Sequence, residues 1–200
     1  MEKVLDHEGS LAVIHEMIQK TRKNITEGSF YYLVWGWLTL AAASTQYILL
    51  TVANSEWHAI VWPVMGVVGG IASAIYGRKS SARKGHTTFV DKSMGYVWIA
   101  FGAMMALALI IGGTQSWRVG YSIIIALYGM GTFVSGGLLR FKPLIYGGVA
   151  SWGISAFALL AEEWTQEFPN MIVLLVVSII VSYLIPGYAL KSAEKKNNAA

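Results

Sequence analysis

Apolar and polar positions along this chain fall into long blocks. Uncharged apolar stretches recur six times, at about Phe30–Val52, His58–Gly77, Met94–Gly113, Val119–Leu139, Pro143–Ala161 and Asn170–Leu190. Each holds about the 20 residues that an α-helix needs to cross the hydrocarbon core of a bilayer. A β-barrel would show segments of about ten residues alternating in polarity, and "MIVLLVVSIIVSYLI" does not alternate. The pattern predicts an all-α, polytopic membrane protein: six transmembrane helices in one domain over 30–190, then a short tail at 191–200.

The segments between these blocks carry almost all the charge, and none is large enough to form a soluble domain. Lys and Arg are retained on the cytoplasmic side during insertion. One side would hold Lys3, Lys20, Arg22, Lys23, Arg78, Lys79, Arg83, Lys84, Lys92, Arg140, Lys142, Lys191, Lys195 and Lys196, and the other only Arg118. Both termini are therefore expected in the cytoplasm. Residues 1–29 show no apolar core with a small-residue cleavage site, so they do not read as a signal peptide. Leu11, Ile14, Met17, Ile18, Thr21 and Ile25 fall close to one helical face. Such an amphipathic helix either lies on the inner leaflet beside the bundle or docks a cytosolic partner or second subunit.

Composition agrees: 55% of residues are hydrophobic and 13% charged, against roughly 25% charged in a soluble domain. The formal charge of +4 sits on the face where anionic lipid headgroups attract it. Membrane lipids, not nucleic acid, are the expected partners of that charge.

Little chemistry is available. The chain has no cysteine, which removes disulfide relays, thiolate metal sites and cysteine nucleophiles. His7, His15, His58 and His86 all fall outside the membrane interior, so none can ligate a haem at depth. Glu56 with His58 is a thin basis for a metal. No Asp, Glu, Lys or Arg lies well inside a span, where ion-coupled carriers usually place one. Pro63, Pro143, Pro169 and Pro186 sit near span ends, so none interrupts a mid-membrane turn. The buried serines have no base at their depth, and no phosphate-binding glycine loop occurs. No enzymatic activity, cofactor or metal is expected.

Packing is more informative. Gly66, Gly70 and Ala74 form one row at four-residue spacing on span two, and Gly69, Ser73 and Gly77 a second. Span four carries Gly129, Gly131, Ser135, Gly136 and Gly137, and span five Gly147, Ser151 and Ser155. Small residues so spaced let helix backbones approach closely, within one chain or in a homo-oligomer. The spans also divide into three hairpins, each turning through a tryptophan (Trp57, Trp117, Trp164), and "VWGWL" shares a Trp-Gly pair with "ASWGIS".

Aromatic residues sort into two interfacial belts. Tyr32, Trp35, Trp98 and Tyr183 fall toward the inner ends of spans, and Trp62, Trp117, Tyr121 and Phe168 toward the outer ends. Trp152 is then the one tryptophan near mid-membrane. It either fills the gap left by its small neighbours or, with Ser151 and Ser155, lines a cavity for an apolar or aromatic ligand. Gln46, with Thr45 and Ser44, would be the nearest source of polar contacts. Trp37, one turn deeper than most of its belt, is the other candidate. It points about 200° away from Trp35, so the two indoles cannot clamp one flat ligand.

The segment "IHEMIQKTRKNITEGSFYYLVWGWLTLAAAS", Ile14 to Ser44, resembles the start of an uncharacterised family of small six-span bacterial inner-membrane proteins. Its marks there are the amphipathic helix with Met-Ile and Lys-Asn, a polar break and a Trp-Gly-Trp first span. The resemblance implies a prokaryotic inner membrane and no particular activity. Two functions stay open. One is a small-molecule or lipid binding or transport protein without an ionisable coupling site. The other is a non-catalytic membrane subunit or sensor that engages a membrane or cytosolic partner through its amino-terminal helix and basic inner loop.

Overall fold

The computed structural model describes residues 28–84 and 89–199. The predicted amphipathic helix lies outside them, apart from its last two residues, as does the middle of the basic loop with His86. Among the described residues there is no strand, and six helices are long and apolar enough to cross a membrane. The chain is a multi-pass membrane protein.

Helix α1 spans Ser29–Thr51. A 3-10 turn over Glu56–Ile60 leads into α2, Val61–Lys84, and α3 follows at Phe89–Thr114. Then come α4, Trp117–Leu138, α5, Lys142–Leu160, and the short α6, Glu162–Thr165. The last span joins α7, Phe168–Ile179, to α8, Ile185–Ala199, through a π-helical turn at Ile180–Leu184.

Local chemistry explains several boundaries. Pro143 and Pro169 open α5 and α7, where the missing N–H would have no partner anyway. Between α4 and α5 the amide of Phe141 donates to the Gly136 carbonyl at 2.9 Å and that of Arg140 to Gly137 at 3.2 Å. This is a Schellman closure, with Arg140 at φ 52° in the left-handed position usually given to glycine. Pro186, expected near a helix end, instead sits inside continuous helix. The preceding π turn, in which the Ile185 amide donates to the Ile180 carbonyl, widens the backbone where a proline ring would crowd it.

Close packing centres on α4 and α5, helices that belong to different hairpins of the expected arrangement. A Cβ added to Gly129 would lie 2.8 Å from the Gly148 carbonyl oxygen, so only two glycines permit this approach. Gly147 is equally tight against span six, where an added Cβ would lie 2.9 Å from the Val181 carbonyl oxygen. Helix α1 lies on the same span, with Gly36 under Leu184. Below the start of α1, the Glu194 carboxylate of α8 accepts from the Ser29 amide at 3.0 Å and from its hydroxyl. A carboxylate from another helix thus supplies the cap that Gly28 cannot.

Helices α2 and α3 are different. Only 6% of the apolar stretch of each is buried, against 67% for α4. α2 rests on α1 and α3 on α4, and the two are not packed along each other. Of the expected small-residue rows, the one with Gly66 and Gly70 makes no interface among the described residues of one chain: a Cβ added at either would meet nothing within 4 Å, because the row faces out of the bundle. The companion row does pack: Gly69 lies against the Trp35 ring, and Ser73 accepts from the Trp35 indole N–H at 3.0 Å.

Candidate functional site

On an α-helix, residues seven apart return almost to the same face, about 10 Å along the axis. Tyr32, Thr39 and Gln46 are so spaced on α1, and Tyr121, Tyr128 and Ser135 on α4; all six are buried. The two helices run antiparallel, so the sets meet as three rungs. Gln46 faces Tyr121, Thr39 faces Tyr128, and Tyr32 faces Ser135. The side chains bridge a gap that the two backbones do not close. Together the rungs cover about 21 Å of helix axis, most of a hydrocarbon core of about 30 Å.

The rung at the acidic end is saturated. Gln46 Oε1 accepts from the Tyr121 hydroxyl and from the Trp62 indole N–H, both at 2.9 Å. An indole nitrogen can only donate, so this contact fixes the orientation of the amide. Its Nε2 then donates to His58 Nδ1 at 3.1 Å, which places the proton of a neutral His58 on Nε2. The middle rung is looser, with 3.4 Å between the Thr39 and Tyr128 hydroxyls. At the basic end, the Tyr32 hydroxyl and Ser135 Oγ approach each other without a hydrogen bond of good geometry, and the Tyr183 hydroxyl of the π turn also has no partner. Tyr183 stacks edgewise on Tyr32 at 5.6 Å and on Tyr128 at 5.2 Å between ring centres. Such groups are costly in a membrane interior, where no bulk water can satisfy them.

Rings from the two outer helices cover the rungs. Trp62 of α2 lies over the first, Phe101 of α3 is 5.6 Å from Tyr128, and Trp98 of α3 is 6.5 Å from Tyr32. Gly131 of α4 lies beneath Trp98 and Phe101, whose rings a Cβ added there would meet at 3.6 Å. Chemically the seam offers hydroxyls and one amide, which can donate and accept hydrogen bonds. It offers no charge to balance an ion.

Of the ligand-contact candidates read from sequence, Gln46 belongs to this seam and the others do not join it; Ser135, read there as a packing residue, joins it as well. Trp152 does not line an internal cavity. It is 38% exposed on the surface of α5, where its indole N–H donates to the Ala126 carbonyl at 3.1 Å and its ring leans on Phe133. It fills the space that Gly129 leaves, since a Cβ there would come within 2.7 Å of the indole. Ser151 donates to the Ile125 carbonyl at 2.9 Å and pairs with Ser178 at 2.6 Å, while Ser155 donates to the Ser122 carbonyl at 2.7 Å. Both are cross-links between helices. Trp37 is half exposed and donates to the Tyr188 hydroxyl at 3.1 Å, while Thr45 and Ser44 are exposed.

Sorting aromatics by depth alone assigned Tyr32, Tyr121 and Tyr183 to the lipid interface, whereas all three point into the bundle. The signal that could have found Tyr32 and Tyr121 is the seven-residue spacing shared by α1 and α4; Tyr183, on the last span, carries no such signal. A shallow cleft of about 440 Å³ opens above the seam, lined by Trp117, Arg118, Glu162 and Phe168. Arg118, the one Lys or Arg at this end among the described residues, donates to Glu162 at 2.9 Å and to the Leu159 carbonyl at 3.1 Å.

Compared with family models, curated proteins and solved structures, this chain matches none.

Proposed function

We propose that the chain is an inner-membrane protein of a bacterium that binds, and by binding transports, a small molecule or lipid at the seam between α1 and α4. The observation that carries this reading is the three-rung column of buried polar groups, ending in hydroxyls of Tyr32, Ser135 and Tyr183 that make no hydrogen bond of good geometry within the protein. Buried polar groups are normally satisfied, and a bound polar group would supply what these lack. Helix α1 would start in the cytoplasm, in keeping with the basic flanks at that end and with the resemblance over Ile14–Ser44.

A thermal-shift screen of the purified protein against metabolites and lipids, run beside Tyr128→Phe, tests the reading. The expected result is a compound that raises the melting temperature of the wild type and does so less in the variant. The reading fails if no compound acts while a partner protein co-purifies and is lost on deleting residues 1–27. That outcome would instead support a non-catalytic subunit or sensor, the reading favoured by the exposed outer faces of α2 and α3.

A further inference from the structure

We infer that the ligand is an amphiphile that reaches the seam sideways from the bilayer, between α2 and α3, and presents a neutral, hydroxyl-bearing headgroup to Tyr32, Ser135 and Tyr183. The inference rests on the seam being a binding site and adds the class of ligand and its route.

The route follows from packing. Helix α2 packs along α1 and α3 along α4, and among the described residues the two are not packed along each other, so this flank of the seam is covered mainly by side chains of two thinly buried helices. At the basic-end rung the cover on this side is the Trp98 ring, itself partly exposed and mounted on the thinly buried α3. Trp35, which packs against α2, is also partly exposed. An apolar chain lying between α2 and α3 would meet these rings.

Depth and chemistry define the headgroup. Tyr32 is three residues from the start of α1 and Ser135 three from the end of α4, about 5 Å inside each helix end. That is the level at which an amphiphile's polar group gives way to its tail. The three hydroxyls can each donate and accept, which suits a headgroup that does both. Among the described residues no carboxylate or basic side chain joins the rung, and the carboxylate at the start of α1, Glu194, is taken up by Ser29, so a charged headgroup would be desolvated without a free counter-charge. Arg78, Lys79 and Lys92 are exposed at this end of α2 and α3 and offer anionic lipids a separate, superficial place to bind.

Native mass spectrometry of the full chain in detergent, with 1-monooleoylglycerol, free glycerol or oleoyl lysophosphatidylglycerol as probe, tests the inference. The expected result is retention of monooleoylglycerol, weakened about tenfold in Tyr32→Phe/Ser135→Ala, the loss of two neutral hydrogen bonds, and unchanged in Trp57→Ala at the acidic end. Equal retention by the double variant overturns the inference, because the tail alone would then explain binding. Preference for the anionic probe, insensitive to the double variant, overturns it in favour of the basic rim. Should free glycerol shift the melting temperature of the wild type and not of the double variant, while monooleoylglycerol is not retained, the seam stands as a binding site and the amphiphile is ruled out. If neither probe binds, the inferred class is wrong, and the wider screen decides the seam separately. If the double variant does not fold, a monoacylglycerol with a diazirine in its tail gives the same decision on the wild type. Labels on α1, α2 and α3 around Trp35 and Trp98 support the lateral route, and labels confined to α5 and α7 overturn it.

Discussion

Helices α2 and α5 carry similar rows of small residues and use them in opposite ways. On α5, Gly148 meets Gly129 of α4 backbone to backbone, and Ser151 and Ser155 hydrogen-bond to α4 carbonyls alongside. On α2, Gly66 and Gly70 touch nothing. Lipid tails are as apolar as leucine, so helices in a bilayer associate through close contact and hydrogen bonds. Small residues remove the obstacle to contact but provide no attraction without a complementary surface. Gly129 has one in the Trp152 ring and the Gly148 backbone; Gly70 has none among the described residues. The seam between α1 and α4 is intermediate, buried as deeply as the α4–α5 interface but bridged by long polar side chains that leave hydroxyls unpaired.

The largest test of this contrast is Gly148→Leu. Its Cβ would fall within 2.8 Å of the Phe133 backbone and the Gly129 carbonyl, and we expect about 3 kcal/mol of destabilisation in detergent unfolding, as for severe overpacking. Gly70→Leu should change stability by less than about 0.5 kcal/mol. A large loss there, accompanied by dissociation of an oligomer on size exclusion, would show that α2 packs against a second copy.

Next in size, Gln46→Leu removes the acceptor for Tyr121 and Trp62 and the donor to His58. We expect a loss of about 2 kcal/mol, since buried partners are left unpaired, seen as a lower melting temperature. Ser155→Ala should lose about 1 kcal/mol, one cross-helix hydrogen bond in lipid. Smallest of all, Trp152→Phe should leave any ligand-induced rise in melting temperature unchanged, because the indole lies outside the seam.

The spans themselves were legible. Charge-free runs of about 20 residues place all six, and the first, expected at Phe30–Val52, is observed at Ser29–Thr51. Their ends were less so, because helices continue past the apolar run: α2 extends through Arg78 to Lys84, and the sixth span passes Pro186 to Ala199. The seam was not read for a geometric reason. Hydropathy gives depth along the membrane normal, while Tyr32 and Tyr121 are distinguished by their angle around the helix. That angle has meaning only once α1 and α4 are known to be neighbours. Gln46 drew notice because a lone amide in an apolar run stands out; tyrosines near span ends do not.

Because the chain contains no cysteine, the central contrast can be tested with single substitutions in an otherwise unreactive protein. Ser135→Cys and Ser151→Cys place thiols at two fully buried positions, one in the seam and one in the α4–α5 interface. Modification by uncharged methyl methanethiosulfonate, followed by mass spectrometry, compares them directly. If the seam is a binding site, Ser135→Cys reacts at least about tenfold faster, a free-energy difference of about 1.4 kcal/mol, and a compound that stabilises the wild type slows it. Equal rates at the two positions, or faster reaction at Ser151→Cys, would mean that the seam is closed like the rest of the core and would contradict the account.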